Sequence, residues 1–70
     1  MDIKKIVGQN IAKHRKEKGF SQEELAFETD LHRTYISGIE RGIRNPTIVN
    51  IQKIAEALDV SSSQLLELSY

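Results

Sequence analysis

The sequence predicts an all-α fold: five short helices in one domain that takes in residues 1–70. Three observations carry that expectation. Apolar residues recur three, four and seven positions apart along most of the chain, as on a helix face, and no stretch reads convincingly as a strand. Ser21 and Ser61 each stand three residues ahead of a Glu or Gln, the spacing of a reciprocal helix cap. Gly19, Gly42 and Pro46 interrupt the pattern where helices of ordinary length should stop.

The first helix carries Ile3, Ile6, Val7 and Ile11 on one stripe, and Gly19 closes it by supplying a left-handed residue after the last turn. "SQEE" then opens the second, with Ser21 and Glu24 as the two halves of a capping box. Leu25 and Ala26 face inward, joined by Phe27 or Leu31, and Asp30 with Leu31 forms the break. The third helix runs from Arg33 to Arg41, with His32 where a cap residue belongs, and ends at Gly42. "RNP" is a turn, because proline disfavours the helical conformation at Asn45. Thr47 caps the fourth helix, whose inward positions read Ile48, Ile51, Ala55 and Leu58. Ser61 and Gln64 box the start of the fifth, followed by Leu65, Leu66 and Leu68.

Composition narrows the function classes. Seventy residues at 39% hydrophobic content support a single domain with a marginal core. There is no cysteine, which removes disulfides, thiolate metal sites and thiol nucleophiles and fits a reducing cytoplasm. No apolar run reaches membrane-spanning length, so no membrane partner is expected and the chain reads as soluble. The two histidines lie 18 positions apart with no carboxylate at ligand spacing, no phosphate-binding glycine loop occurs, and no nucleophile has its partners in context. The expectation is a protein without enzymatic activity, metal or cofactor.

Net charge is zero, yet the charges are blocked. Residues 1–20 hold six Lys or Arg against Asp2 and Glu17; residues 21–31 are purely acidic through Glu23, Glu24, Glu28 and Asp30. Residues 32–45 turn basic through Arg33, Arg41 and Arg44, opposed by Glu40 alone. Blocks of this kind also suit ordinary solvated helix faces.

The segment "HRTYISGIERGIRNP" decides the direction of the argument. Ile36, Ile39 and Ile43 recur at helical spacing on one side, while Arg33, Thr34, Tyr35 and Ser37 crowd the opening turn. Only a few residues join this helix to the one before it, so the two should cross steeply as a helix-turn-helix. That geometry holds a short helix away from the body, at a width that fits the DNA major groove.

"SQEELA", "RTYISGIERG", "RNPT" and "IAEALDVSSSQLL", in that order, resemble the phage-repressor type of helix-turn-helix, the lambda and 434 repressor fold of the XRE family. The likeness covers residues 8 to 68, and "RTYISGIERxxRN" also resembles the controller proteins of restriction-modification systems. The resemblance implies a compact five-helix DNA-binding domain acting as a transcriptional regulator on double-stranded DNA. It implies that Arg33 and Thr34 reach bases first, that Tyr35 and Ser37 touch phosphate or groove, and that Gln22 clamps a phosphate. Arg41, Arg44 and Asn45 would lie near the backbone or an adjacent base. Arg15 and Glu40 would form a structural ion pair between the first and third helices. Gly38 departs from relatives that carry a long polar side chain there, leaving less direct readout or letting DNA approach closely.

A homodimer on a near-palindromic operator is expected, since one such domain touches few bases. Val49, Leu68 and Tyr70 remain as apolar surplus near the C-terminal end and are the expected interface. No ligand domain follows, so no small-molecule effector is expected. The alternative is a small helical protein-interaction module, an antitoxin or adaptor, that keeps the fold and binds a protein partner; zero net charge favours it and the exposed arginines oppose it.

Overall fold

The computed structural model describes residues 1–68, which form five helices: α1 (Ile3–Lys18), α2 (Gln22–Thr29), α3 (Arg33–Glu40), α4 (Ile48–Leu58) and α5 (Ser62–Leu65). Each begins on a side-chain cap. Asp2 accepts from the amides of Lys4 and Lys5, Ser21 from Glu24, His32 from Thr34, Thr47 from Asn50 and Ser61 from Gln64. Both reciprocal boxes are present, with Glu24 and Gln64 reaching back to the serine amides. Caps of this kind are worth about 1 kcal/mol each, which matters in helices of eight and four residues that would not persist alone.

Three helices end alike. Gly19, Asp30 and Asp59 adopt the left-handed conformation with φ of 81°, 56° and 58°. The residue after each, Phe20, Leu31 and Val60, folds back onto the core. Its amide bonds a carbonyl of the last turn, Arg15, Ala26 or Ala55. The helix stop and the burial of the next apolar side chain are thus one device used three times.

α1 lies across α3, α4 and α5, while α2 packs on α3 and α4. Ile11, Leu25, Ile36, Ile39, Ile54 and Leu65 are fully buried where these faces meet, each worth about 1.5–3 kcal/mol of transfer. α1 and α3 approach closely because residue 8 is glycine: a Cβ there would collide with the carbonyl oxygen of Ile39. Asn10 ties down the far end, its amide donating to the carbonyls of Leu65 (2.9 Å) and Glu67 (2.8 Å).

Some apolar positions sit differently from the sequence expectation. Ile48 is 86% exposed, and the inward stripe of α4 is Ile51, Ile54, Ala55 and Leu58. Ile48 opens its helix, and side chains there tilt back past the helix end, beyond the neighbouring faces. Leu31 rather than Phe27 reaches the core, because the left-handed Asp30 turns the chain inward after α2 while Phe27 stays on the outer side at 85% exposed. Ile3 is exposed in the first turn of α1, and Ile43 is exposed because α3 has already ended at Glu40.

Candidate nucleic-acid interface

α3 is held from beneath by a buried ion pair. Glu40 accepts from Arg15 Nε at 2.7 Å and Nη2 at 3.0 Å, a two-pronged pairing across α1 and α3. The remaining guanidinium donor, Nη1, bonds the Phe20 carbonyl at 2.8 Å, and Gln22 Nε2 donates to Glu40 Oε1 at 3.0 Å. One carboxylate therefore joins α1, α2 and α3. The hydrogen bond to Glu40 raises the Arg15 guanidinium above the ordinary arginine value, with burial opposing and the Glu40 charge adding. A raised value means that the stabilisation from Arg15 is fully present below the ordinary arginine value and is lost only as pH rises through the still higher folded one, outside any working range.

On that base α3 presents its opening turn to solvent. His32 Nδ1 accepts from the Thr34 amide at 3.1 Å, so the cap demands an unprotonated ring nitrogen at that atom. Arg33 and Thr34 are exposed and Ser37 is half-buried, while Ile36 and Ile39 behind them have no exposed surface. Tyr35 is half-buried against the core, and its hydroxyl accepts from Asn50 Nδ2 at 3.1 Å, leaving the phenolic hydrogen free to donate elsewhere.

The chain leaves α3 through Arg41, the C-cap, and Gly42 at φ 75°. The Gly38 carbonyl accepts two amides of this turn, from Ile43 at 2.9 Å and Arg44 at 3.1 Å. Arg41, Arg44 and Asn45 are exposed beyond it, and none of the ion pairs among the described residues uses Arg33, Arg41 or Arg44. The turn thus adds two exposed arginines outside those ion pairs to the one that opens α3. Gly38 itself is buried, and its open side is filled by the Arg44 stem, not left for an approaching ligand. The space beside the bare glycine thus holds an arginine stem from the following turn.

Gln22 stands at the first position of α2, where the amides of Gln22 and Glu23 have no partner among the described residues. Its side chain is spent in part on Glu40. Val49 is 64% exposed and Leu68 38% exposed; Tyr70 lies outside the described residues. His14 is largely buried beside Glu17, with Nδ1 3.4 Å from the carboxylate. Asn10, Gly8 and Asn50 are supporting residues that sequence reasoning passed over. The signal was available for Asn10, a polar residue beside the packing stripe of the first helix, whereas Gly8 and Asn50 matter only through helices distant in sequence. Among the described residues no helix is long and apolar enough to cross a membrane, and no cluster of His, Asp or Glu side chains could hold a metal ion.

Comparison with known proteins places this geometry in context. The helix-turn-helix family model matches residues 11–65. Control protein C.BamHI of Bacillus amyloliquefaciens is 52% identical over 67 residues, covering 94% of this chain and 83% of that protein. The crystal structure of the restriction-modification controller protein C.AhdI from Aeromonas hydrophila superposes with a TM-score of 0.86 at 47% identity, covering 89% of this chain and 94% of that one. SinR, a master regulator for biofilm formation solved in complex with DNA, gives a TM-score of 0.83 at 44% identity over 87% of this chain and 98% of its own.

Proposed function

The chain belongs to the helix-turn-helix family, and from that premise we propose that it is a sequence-specific DNA-binding regulator of transcription, of the controller type, acting as a homodimer in the cytoplasm. The observation that carries this reading is the two-sided α3. Ile36 and Ile39 lock one side into the core while Arg33 and Thr34 stand free on the other at its N-terminal end. In this reading Arg33 bonds a guanine edge through two donors and Thr34 meets a neighbouring base with its hydroxyl or methyl. Tyr35 donates its phenolic hydrogen to a phosphate, Ser37 touches the groove wall, and the unpartnered α2 amides beside Gln22 receive another phosphate. Arg41, Arg44 and Asn45 meet the DNA beyond the end of α3.

The controller-type reading rests on the 52% identity to C.BamHI and on the near-complete coverage of the C.AhdI chain. Size supports the homodimer reading. The described residues extend 30 Å at most and carry a single α3, whereas two recognition helices in successive major grooves must sit about 34 Å apart. Exposed Val49 and Leu68, with Tyr70, are the proposed contact between copies.

Selecting retained fragments from a random DNA pool tests the proposal, followed by a salt series on the best fragment. Sequence-selective retention that weakens steeply with salt is expected. Retention of no fragment sinks the regulator reading and leaves a protein-interaction module in its place. Sedimentation of free and DNA-bound protein tests the dimer, which a monomer in both states at tens of micromolar would exclude.

A further inference from the structure

Gly38 sits in the middle of α3, one helical turn after Thr34 and three residues before Arg41, so these three positions share a stripe on the side turned away from Ile36 and Ile39. A side chain at residue 38 would cover the surface back toward Thr34, since helical side chains lean toward the N-terminus. That surface is occupied by another residue. A Cβ built on Gly38 would lie 2.5 Å from Arg44 Cγ, with Arg44 Cβ and Cδ each 3.6 Å away. The aliphatic stem of Arg44 is therefore laid across the bare α3 backbone at residue 38. The same glycine fixes the root of that stem, because its carbonyl accepts the amides of both Ile43 and Arg44. Arg44 is in turn exposed and engaged in none of the ion pairs among the described residues.

The geometry points to Gly38 as a positioning residue for Arg44: the missing side chain lets an arginine from the following turn serve as the long polar group that α3 lacks at its centre, and so bring it to bear on DNA from within the recognition face. The inference rests on the regulator reading above for its DNA half, and its conformational half stands on the protein alone. A clamped stem loses less rotamer freedom when the guanidinium binds than a free surface arginine would. Arg44 thereby gains a defined direction that its place in an exposed turn would not supply.

The test is a double-mutant cycle of Gly38→Ala and Arg44→Ala, read both by thermal melting and by affinity for the selected DNA fragment. In the Arg44→Ala background the 2.5 Å conflict with Cγ is gone, and the remaining Cβ at residue 44, 3.6 Å away, is an ordinary contact. Helix propensity should then raise the melting temperature by about 5 °C. With Arg44 present the same substitution must push the stem aside, and this gain should vanish or reverse. On DNA, Gly38→Ala should weaken binding about tenfold when Arg44 is present and have no effect when it is absent. Should Gly38→Ala fail to fold, folding of the double variant would still place the conflict at Arg44, and failure of both would overturn the inference. Equal melting gains in the two backgrounds, or an equal loss of affinity in both, would also overturn it. A parent protein that retains no DNA removes the regulator reading and the DNA half together, while the melting cycle still judges the contact.

Discussion

Arg15 and Arg33 carry the same guanidinium on opposite sides of α3, and almost everything that matters about them differs. Arg15 is 9% exposed and uses three of its nitrogens on Glu40 and the Phe20 carbonyl. Arg33 is exposed at the start of α3, with no ion pair among those the described residues form. The buried arginine has been taken out of water and must keep its partner; the exposed one remains hydrated and available to a ligand. A basic residue is thus assigned to scaffold or to interface by what its donors already hold, and the charge itself does not discriminate.

The largest expected effect lies on the buried side. Glu40→Ala strands Arg15 and Gln22, and should lower folding stability by about 3 kcal/mol, a large fraction of what a domain of this size has. Arg15→Met combined with Glu40→Leu should lose less than the single change, since neither variant side chain leaves a buried charge unpaired. Urea midpoints of the three proteins decide this, and a double variant worse than Glu40→Ala would show that the pair contributes more than mutual neutralisation.

On the exposed side the loss should move from folding to binding. Arg33→Ala should weaken the preferred operator by about 1–3 kcal/mol, relax selectivity at one base pair and leave the melting curve in place. Affinities for a panel of single-base operator variants measure it, with Arg33→Lys as the finer probe because the ammonium keeps the charge and loses the planar fork. A uniform drop across the panel would reassign Arg33 to phosphate.

His32 stands between the two regions, since its cap orders the very turn that carries Arg33 and Thr34. His32→Ala should cost about 1 kcal/mol of stability and His32→Asn very little, because the amide oxygen can take over from Nδ1. If both melt alike, the bond from the Thr34 amide carries no weight.

Smallest of all is Arg41→Ala. If Arg41 meets a phosphate, the slope of log affinity against log salt should flatten by about one unit. If Arg41 only complements the negative end of α3, the slope stays and stability falls by a few tenths of a kcal/mol, within the approximate 0.3–1 kcal/mol range of that effect. The slope comparison separates these outcomes.

Much of this molecule is set by neighbours in sequence. The helix starts at Ser21, Thr47 and Ser61, the stop at Gly19 and the buried face of α3 follow from spacing of a few residues, because caps and helical periodicity act over one or two turns. Ile36 and Ile39 were readable as anchors for the same reason, and with them the outward placement of Arg33 and Thr34. What remained open were the questions that depend on a distant element. Ile48 and Ile54 share apolar chemistry, and only the position of α2 and α5 against α4 puts one in water and the other in the core. Phe27 and Leu31 were separated by the left-handed turn at Asp30, a conformation that aspartate adopts less readily than glycine and therefore announces poorly. Gly8 and Gly38 look alike as helix-weakening residues, yet one admits the Ile39 carbonyl and the other the Arg44 stem. At these two helical glycines something comes close, and the tertiary structure alone decides what, because the atoms that fill the missing side chain belong to a different part of the chain.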